Sequence, residues 1–92
     1  MIYKVIVLDK AEDDLSFLKK SEINTYNKAK KLLIELKDHP RIGTGKPELM
    51  KHGKLKGLWS RRITDKHRLV YAIKDSEVTV LVLSARGHYD DK

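Results

Sequence analysis

The stretch Ser60–Ile73, SRRITDKHRLVYAI, holds Arg61, Arg62, Lys66 and Arg68 in its first nine residues against one acid, Asp65. Arginine's planar fork donates paired hydrogen bonds, which suits phosphate. The stretch reads as two strands around the turn Thr64-Asp65-Lys66. A three-residue turn sets Arg62 opposite Arg68, and both then project from one face, because strand side chains repeat every two residues. Like charges directly across a ladder destabilise it. The pairing makes better sense with an anion between the two guanidinium groups. A four-residue turn would shift the register by one. Arginines stacked on aromatics such as Trp59 and Tyr71 are the structural alternative.

Glu48 is the only acid between Lys46 and Asp65, and His88 is the only histidine after the last predicted strand. A carboxylate among cations stays ionised and can take a proton. Histidine titrates near neutrality and can give one. Cleaving a phosphodiester needs a base, an acid and cations around the crowded phosphorane. RNA brings its own nucleophile, the ribose 2′-hydroxyl, so no metal is required. Glu48, His88, Arg62 and Arg68 are a sufficient set if they converge, and spacing alone does not say that they do. Otherwise Glu48 only neutralises its neighbours. His67, adjacent to Arg68 on a strand, points the other way and reads as a structural histidine. Trp59 reads as core before it reads as a base-stacking platform.

No metal or cofactor is expected. Asp9, Glu12, Asp13 and Asp14 fall at a predicted helix start, where acids complement the helix dipole without an ion. The four histidines lack zinc-ligand spacing, and GTGKPE is not the phosphate-loop pattern.

Charge gives the direction of the partner. Lys46–Lys74 carries nine Lys and Arg against two acids, which is the whole of the formal +7. The rest of the chain is balanced. A neutral protein with one basic segment has a directed field that meets a polyanion, with nucleic acid foremost. Lys46, Lys51, Lys54, Lys56, Arg61 and Lys66 are the expected RNA or ribosome contacts. A solvated face or an acidic protein partner is the other reading.

The elements that must position these residues follow from periodicity. The 92 residues suit a single domain, 1–92, with a modest core. Ile2–Leu8 is a β-branched, apolar run and reads as a buried strand. Asp9 and Glu12 read as a capping box. Ala11, Leu15 and Leu18 give the following helix one apolar stripe. A second helix is expected from Ser21, with Ile23, Tyr26, Ala29, Leu32, Leu33 and Leu36 inward, until His39-Pro40 stops it. Pro40–Gly57 reads as a long loop. Strands are expected at Leu58–Ile63, His67–Ile73 and Val78–Ser84. The order β-α-α-β-β-β predicts an α+β fold, a largely antiparallel sheet covered on one face by a helical hairpin. Without cysteine, an apolar run of about 18 residues or a signal-peptide pattern, the expected location is cytoplasmic and no membrane is involved.

GKPELMKH (Gly45–His52), LWSRRITDKHRLVYAI (Leu58–Ile73) and the closing His88-Tyr89 resemble the YoeB/Txe toxins of the RelE/ParE superfamily. The resemblance covers the chain in element order and is specific over Gly45–Ile73 and at His88-Tyr89. It implies a RelE-like mRNA interferase domain, a ribosome-dependent endonuclease that cuts message in the ribosomal A site without a cofactor. The family's general base falls on Glu48, its phosphate-stabilising arginines on Arg62 and Arg68, its general acid on His88, and a substrate-placing tyrosine on Tyr89. The implied partners are the ribosome and mRNA, a cognate YefM/Axe-like antitoxin and a second copy of the chain. Operator DNA is implied only through the antitoxin complex. Two features depart from the pattern: Asp90, Asp91 and Lys92 continue past His-Tyr, and KHGKLKGLW is one residue longer, adding Lys54 and Lys56. A gyrase-directed relative and a non-enzymatic basic binder remain as alternatives.

Overall fold

Alternating apolar residues and short turns build a sheet that two helices cover from one side. The computed structural model describes residues 1–87. The elements in order are β1 (Lys4–Val7), α1 (Asp9–Ser21), α2 (Ile23–Leu36), β2 (Glu48–Leu49), β3 (Trp59–Arg62), β4 (Arg68–Lys74) and β5 (Thr79–Ser84). The five strands lie in the order β1-β5-β4-β3-β2, with β1 parallel to β5 and the other pairs antiparallel. This is the expected α+β architecture with one added strand. β2 is only two residues long and falls inside the segment expected as loop, too short to leave a periodic signal.

The core lies between the sheet and the helical hairpin. Ala11 and Leu15 of α1 and Ala29, Leu32 and Leu36 of α2 pack on Ile63, Leu69, Tyr71, Val80 and Val82. Strand alternation therefore turns Ile63, Leu69 and Tyr71 to the helices, and Arg62, Arg68 and Val70 to the opposite face.

Several local expectations are corrected. Leu8 occupies the N-cap position of α1 and no side chain caps the helix; Asp9 is its first residue, so Asp9 and Glu12 act on the dipole of the first turn. Asp14 is no helix-start acid: it is buried, and its carboxylate accepts the Ala85 N–H at 3.0 Å. Ser21 ends α1 instead of opening α2. Glu22, at φ −144°, is the whole connection between the helices. Ile23 stays half exposed, and Thr25 takes the buried position in the first turn of α2.

Candidate active site

The hairpin between β3 and β4 has the expected register. Arg62 is directly opposite Arg68, and the turn closes with the Ile63 N–H donating to the His67 carbonyl at 3.0 Å. Glu48 is opposite Ser60. Ser60 and Arg62 share a face of β3, so Glu48, Arg62 and Arg68 all belong to the face away from the helices. A pocket of about 220 Å³ is lined by Lys46, Pro47, Glu48, Arg62 and Arg68. One acid and three cations thus surround a volume of phosphodiester size. Asp65 is a distant counter-ion for Arg62, at 3.8 Å and almost fully exposed. A pair so open to water contributes little and yields readily to a better anion.

The backbone at the pocket rim departs from a regular ladder. The Arg62 N–H donates to the Gly45 carbonyl at 2.7 Å, one residue out of the Glu48–Ser60 register. Gly45 has φ +86°, and a Cβ there would lie 2.7 Å from the Arg62 carbonyl oxygen. Lys46 follows at φ 51°, unusual for a residue with a side chain and more so before a proline. This bulge turns the chain so that Lys46 and Glu48 meet the two arginines.

Arg61 is a correction to the expected RNA contacts. It is fully buried on the helix side of β3. Its guanidinium donates to Glu35 Oε1, to the carbonyl oxygens of His39, Ile42 (2.8 Å) and Thr44 (3.3 Å), and through Nε to the Tyr71 hydroxyl at 3.1 Å. Tyr71 in turn donates to the Pro40 carbonyl at 2.7 Å, and burial pushes its phenol above the usual tyrosine value. Burial opposes the charge of Glu35, but the Thr44 N–H, the Arg61 guanidinium and the Thr44 hydroxyl together hold its carboxyl below the ordinary value. Arg61 therefore fastens the segment leading to Lys46 and Glu48. The sequence carried a signal for this, since Trp59, Arg61 and Ile63 share the apolar face of one strand.

Lys46, Lys51, Lys54, Lys56 and Lys66 are exposed, as their expected role requires. His67 is buried on the face opposite Arg68. Trp59 is half buried against the core and also borders a second cavity of about 560 Å³, with Arg41, Glu48, Lys51 and His52. Arg41 lies outside the basic segment singled out from the sequence. Its Cζ is 5.9 Å from the Trp59 ring centre, and Nη2 pairs with Asp75 at 2.6 Å. His88 and Tyr89 lie outside the described residues. Among the described residues no three His, Asp or Glu side chains come together as a metal site, and no helix is long and apolar enough to cross a membrane.

The family of YoeB-like toxins of bacterial type II toxin–antitoxin systems is matched over residues 8–89. Toxin YoeB of Escherichia coli K12 is 38% identical over 86 residues, covering 94% of this chain and 99% of that protein. A YoeB/ParE toxin structure from Agrobacterium tumefaciens is 36% identical with a TM-score of 0.84, covering 94% of this chain and 99% of that one. A chain of the YoeB–YefM complex from Staphylococcus aureus is 29% identical with a TM-score of 0.78, covering 97% and 100%. A match of this length, with the same fold in solved relatives, decides the family: the chain belongs to the YoeB-like toxins of bacterial type II toxin–antitoxin systems.

Proposed function

We propose that this toxin is a ribosome-dependent endoribonuclease that cuts mRNA in the ribosomal A site by metal-independent acid–base catalysis. The observation that carries the reading is the pocket in which Glu48 faces the Arg62–Arg68 pair and Lys46. Glu48 accepts the proton of the ribose 2′-hydroxyl. The 2′-oxygen then attacks phosphorus, and charge builds on the phosphoryl oxygens. Arg62 and Arg68 stabilise that charge where it develops. His88 protonates the departing 5′-oxygen, and Tyr89 helps hold the substrate. The O–P bond formed and the O–P bond broken leave a 5′-hydroxyl and a 2′,3′-cyclic phosphate, or a 3′-phosphate once water opens the cycle. No cofactor takes part.

Lys46, Lys51, Lys54, Lys56 and Lys66 supply the charge that holds ribosomal RNA. The toxin acts in the cytoplasm as one domain, 1–92. Its partner is a YefM-like antitoxin, as the complex of the Staphylococcus aureus relative suggests, and operator DNA is met only through that complex. A homodimer is supported by the dimer solved for the same relative.

The test is cleavage of a defined message by the purified protein, with and without programmed ribosomes. Cuts at the A-site codon should need the ribosome, survive chelation when ribosome integrity is controlled, and vanish with a 2′-deoxyribose at the cut site. Cutting of the deoxy substrate excludes the mechanism. Equal cutting of bare RNA removes the ribosome dependence. Binding without any cutting leaves a non-enzymatic binder.

A further inference from the structure

His67 has no part in the chemistry above, yet it is buried at 6% exposure and bonded through both ring nitrogens. Nδ1 accepts the Gly87 N–H at 2.8 Å, and Nε2 faces Glu22 Oε2 at 3.3 Å. A ring nitrogen accepts only through a free lone pair, so Nδ1 bears no proton and the ring proton sits on Nε2, toward the carboxylate. Gly87 is held a second time, because its carbonyl accepts the Arg68 N–H at 3.2 Å. Nearby, the Ala85 N–H donates to the buried Asp14 carboxylate at 3.0 Å. β5 ends at Ser84, so the segment from Ala85 to Gly87 lies beyond the strand: Ala85 is buried in the core, Arg86 stacks on Phe17 at 3.5 Å, and the bonds to His67 and Arg68 hold Gly87.

The arrangement has a direction. His67 and Arg68 are adjacent at the start of β4, so their side chains take opposite faces. Arg68 lines the pocket, and His67 holds Gly87 from behind. Gly87 is joined to His88 by one peptide bond. We propose that His67 is a positioning residue for the cleavage reaction: its unprotonated Nδ1 latches Gly87, the residue that precedes His88 in the chain, and so fixes the backbone from which His88 follows. This deepens the proposed function and rests on the role given there to His88. His67 itself touches no RNA in this account. A displacement of about 1 Å at a reacting group is enough to cost on the order of a hundredfold in rate.

The test uses full-length protein. His67→Leu removes both ring bonds. His67→Asn keeps an acceptor near the position of Nδ1 and gives up the contact to Glu22. Single-turnover cleavage on programmed ribosomes at saturating toxin should fall roughly 10- to 100-fold for His67→Leu, with ribosome affinity unchanged, and largely recover for His67→Asn. Amide exchange at Gly87 should speed up in the Leu variant and stay slow in the Asn variant. Nitrogen-15 spectra of the wild-type ring should find the proton on Nε2. A proton on Nδ1, or a faster Gly87 amide with an unchanged cleavage rate, overturns the proposal. If His67→Leu does not fold, the Asn variant decides: a protected Gly87 amide with a lost rate counts against the latch, and both retained support it. His88→Ala separates the two readings. If that variant cleaves at the wild-type rate, the reaction assigned to His88 falls, while the latch is still judged by the ring spectrum and Gly87 exchange, which need no RNA.

Discussion

Arg61 and Arg62 are neighbours in β3 and lie on opposite faces of the sheet. Arg61 is fully buried and braces the segment from His39 to Thr44; Arg62 is partly exposed and lines the pocket with Glu48. Their substitutions should therefore separate stability from activity. Arg61→Ala leaves Glu35 with only its Thr44 donors and strips the carbonyl oxygens of His39, Ile42 and Thr44 of the guanidinium, and should cost about 3 kcal/mol or more in unfolding free energy. Arg62→Ala should leave the urea midpoint nearly unchanged and slow single-turnover cleavage by on the order of a hundredfold. Equal stability losses for the two variants would contradict the assignment.

Proton transfer and binding should also separate. Glu48→Ala and His88→Ala should each slow the chemical step by about 10²- to 10⁴-fold without weakening ribosome binding. Replacing Lys51, Lys54, Lys56 and Lys66 together should lower affinity and flatten its salt dependence, while the bound complex reacts at close to the wild-type rate. A ribosome-binding titration at several salt concentrations, beside single-turnover kinetics, reads both. Wild-type rates from Glu48→Ala and His88→Ala would remove the proposed site.

Gly45→Ala should damage both properties. Its φ of +86° is strained for alanine, and the new Cβ would lie 2.7 Å from the Arg62 carbonyl, which is backbone and cannot swing aside. The loss should exceed about 1 kcal/mol, with cleavage lowered because Lys46 and Glu48 follow the displaced chain. Thermal unfolding and cleavage of the same preparation check this. An unchanged melting temperature would mean that the bulge is not rigid.

Acid should weaken the fold through identifiable carboxylates. Glu35 lies below its ordinary value of 4.5 because, against burial, the Thr44 N–H and Arg61 stabilise its charge. Asp75 lies below its ordinary 3.8, held by Arg41 and the Tyr3 hydroxyl, and Glu22 is lowered chiefly by its bond to His67. A depressed folded pKa gives stability that is present above the unfolded value and lost as pH falls through the folded one. Urea midpoints should therefore hold from neutrality to about pH 5 and decline below it. Glu35→Gln should start lower at neutral pH and decline less steeply. An unchanged acid profile in that variant would deny Glu35 this role.

The sequence by itself determined the local choices. Ala11, Leu15 and Leu18 wrote one helical stripe; Ala29, Leu32 and Leu36 wrote the other; the short Thr64-Asp65-Lys66 turn marked a hairpin, whose register, Arg62 opposite Arg68, the fold chose over a shift by one. These follow from periods and turn lengths, which neighbouring residues encode. The long WSRRIT-to-YAI stretch and the KPE segment also carried the family. What the tertiary structure decided is what distant residues do together. β2 exists because an edge ladder recruits Glu48 and Leu49, and no two-residue strand is visible in a pattern of period two. The separate fates of Arg61 and Arg62 depend on which face the helices cover. Arg61 is satisfied there by Glu35 from α2 and by carbonyls of the segment after it, while Arg62 is left to the pocket. Asp14 and His67, far apart in the chain, converge on Ala85 and Gly87 because helix and hairpin close over the end of β5. A buried polar group must find its partner wherever packing brings one, and that partner is written in no local spacing.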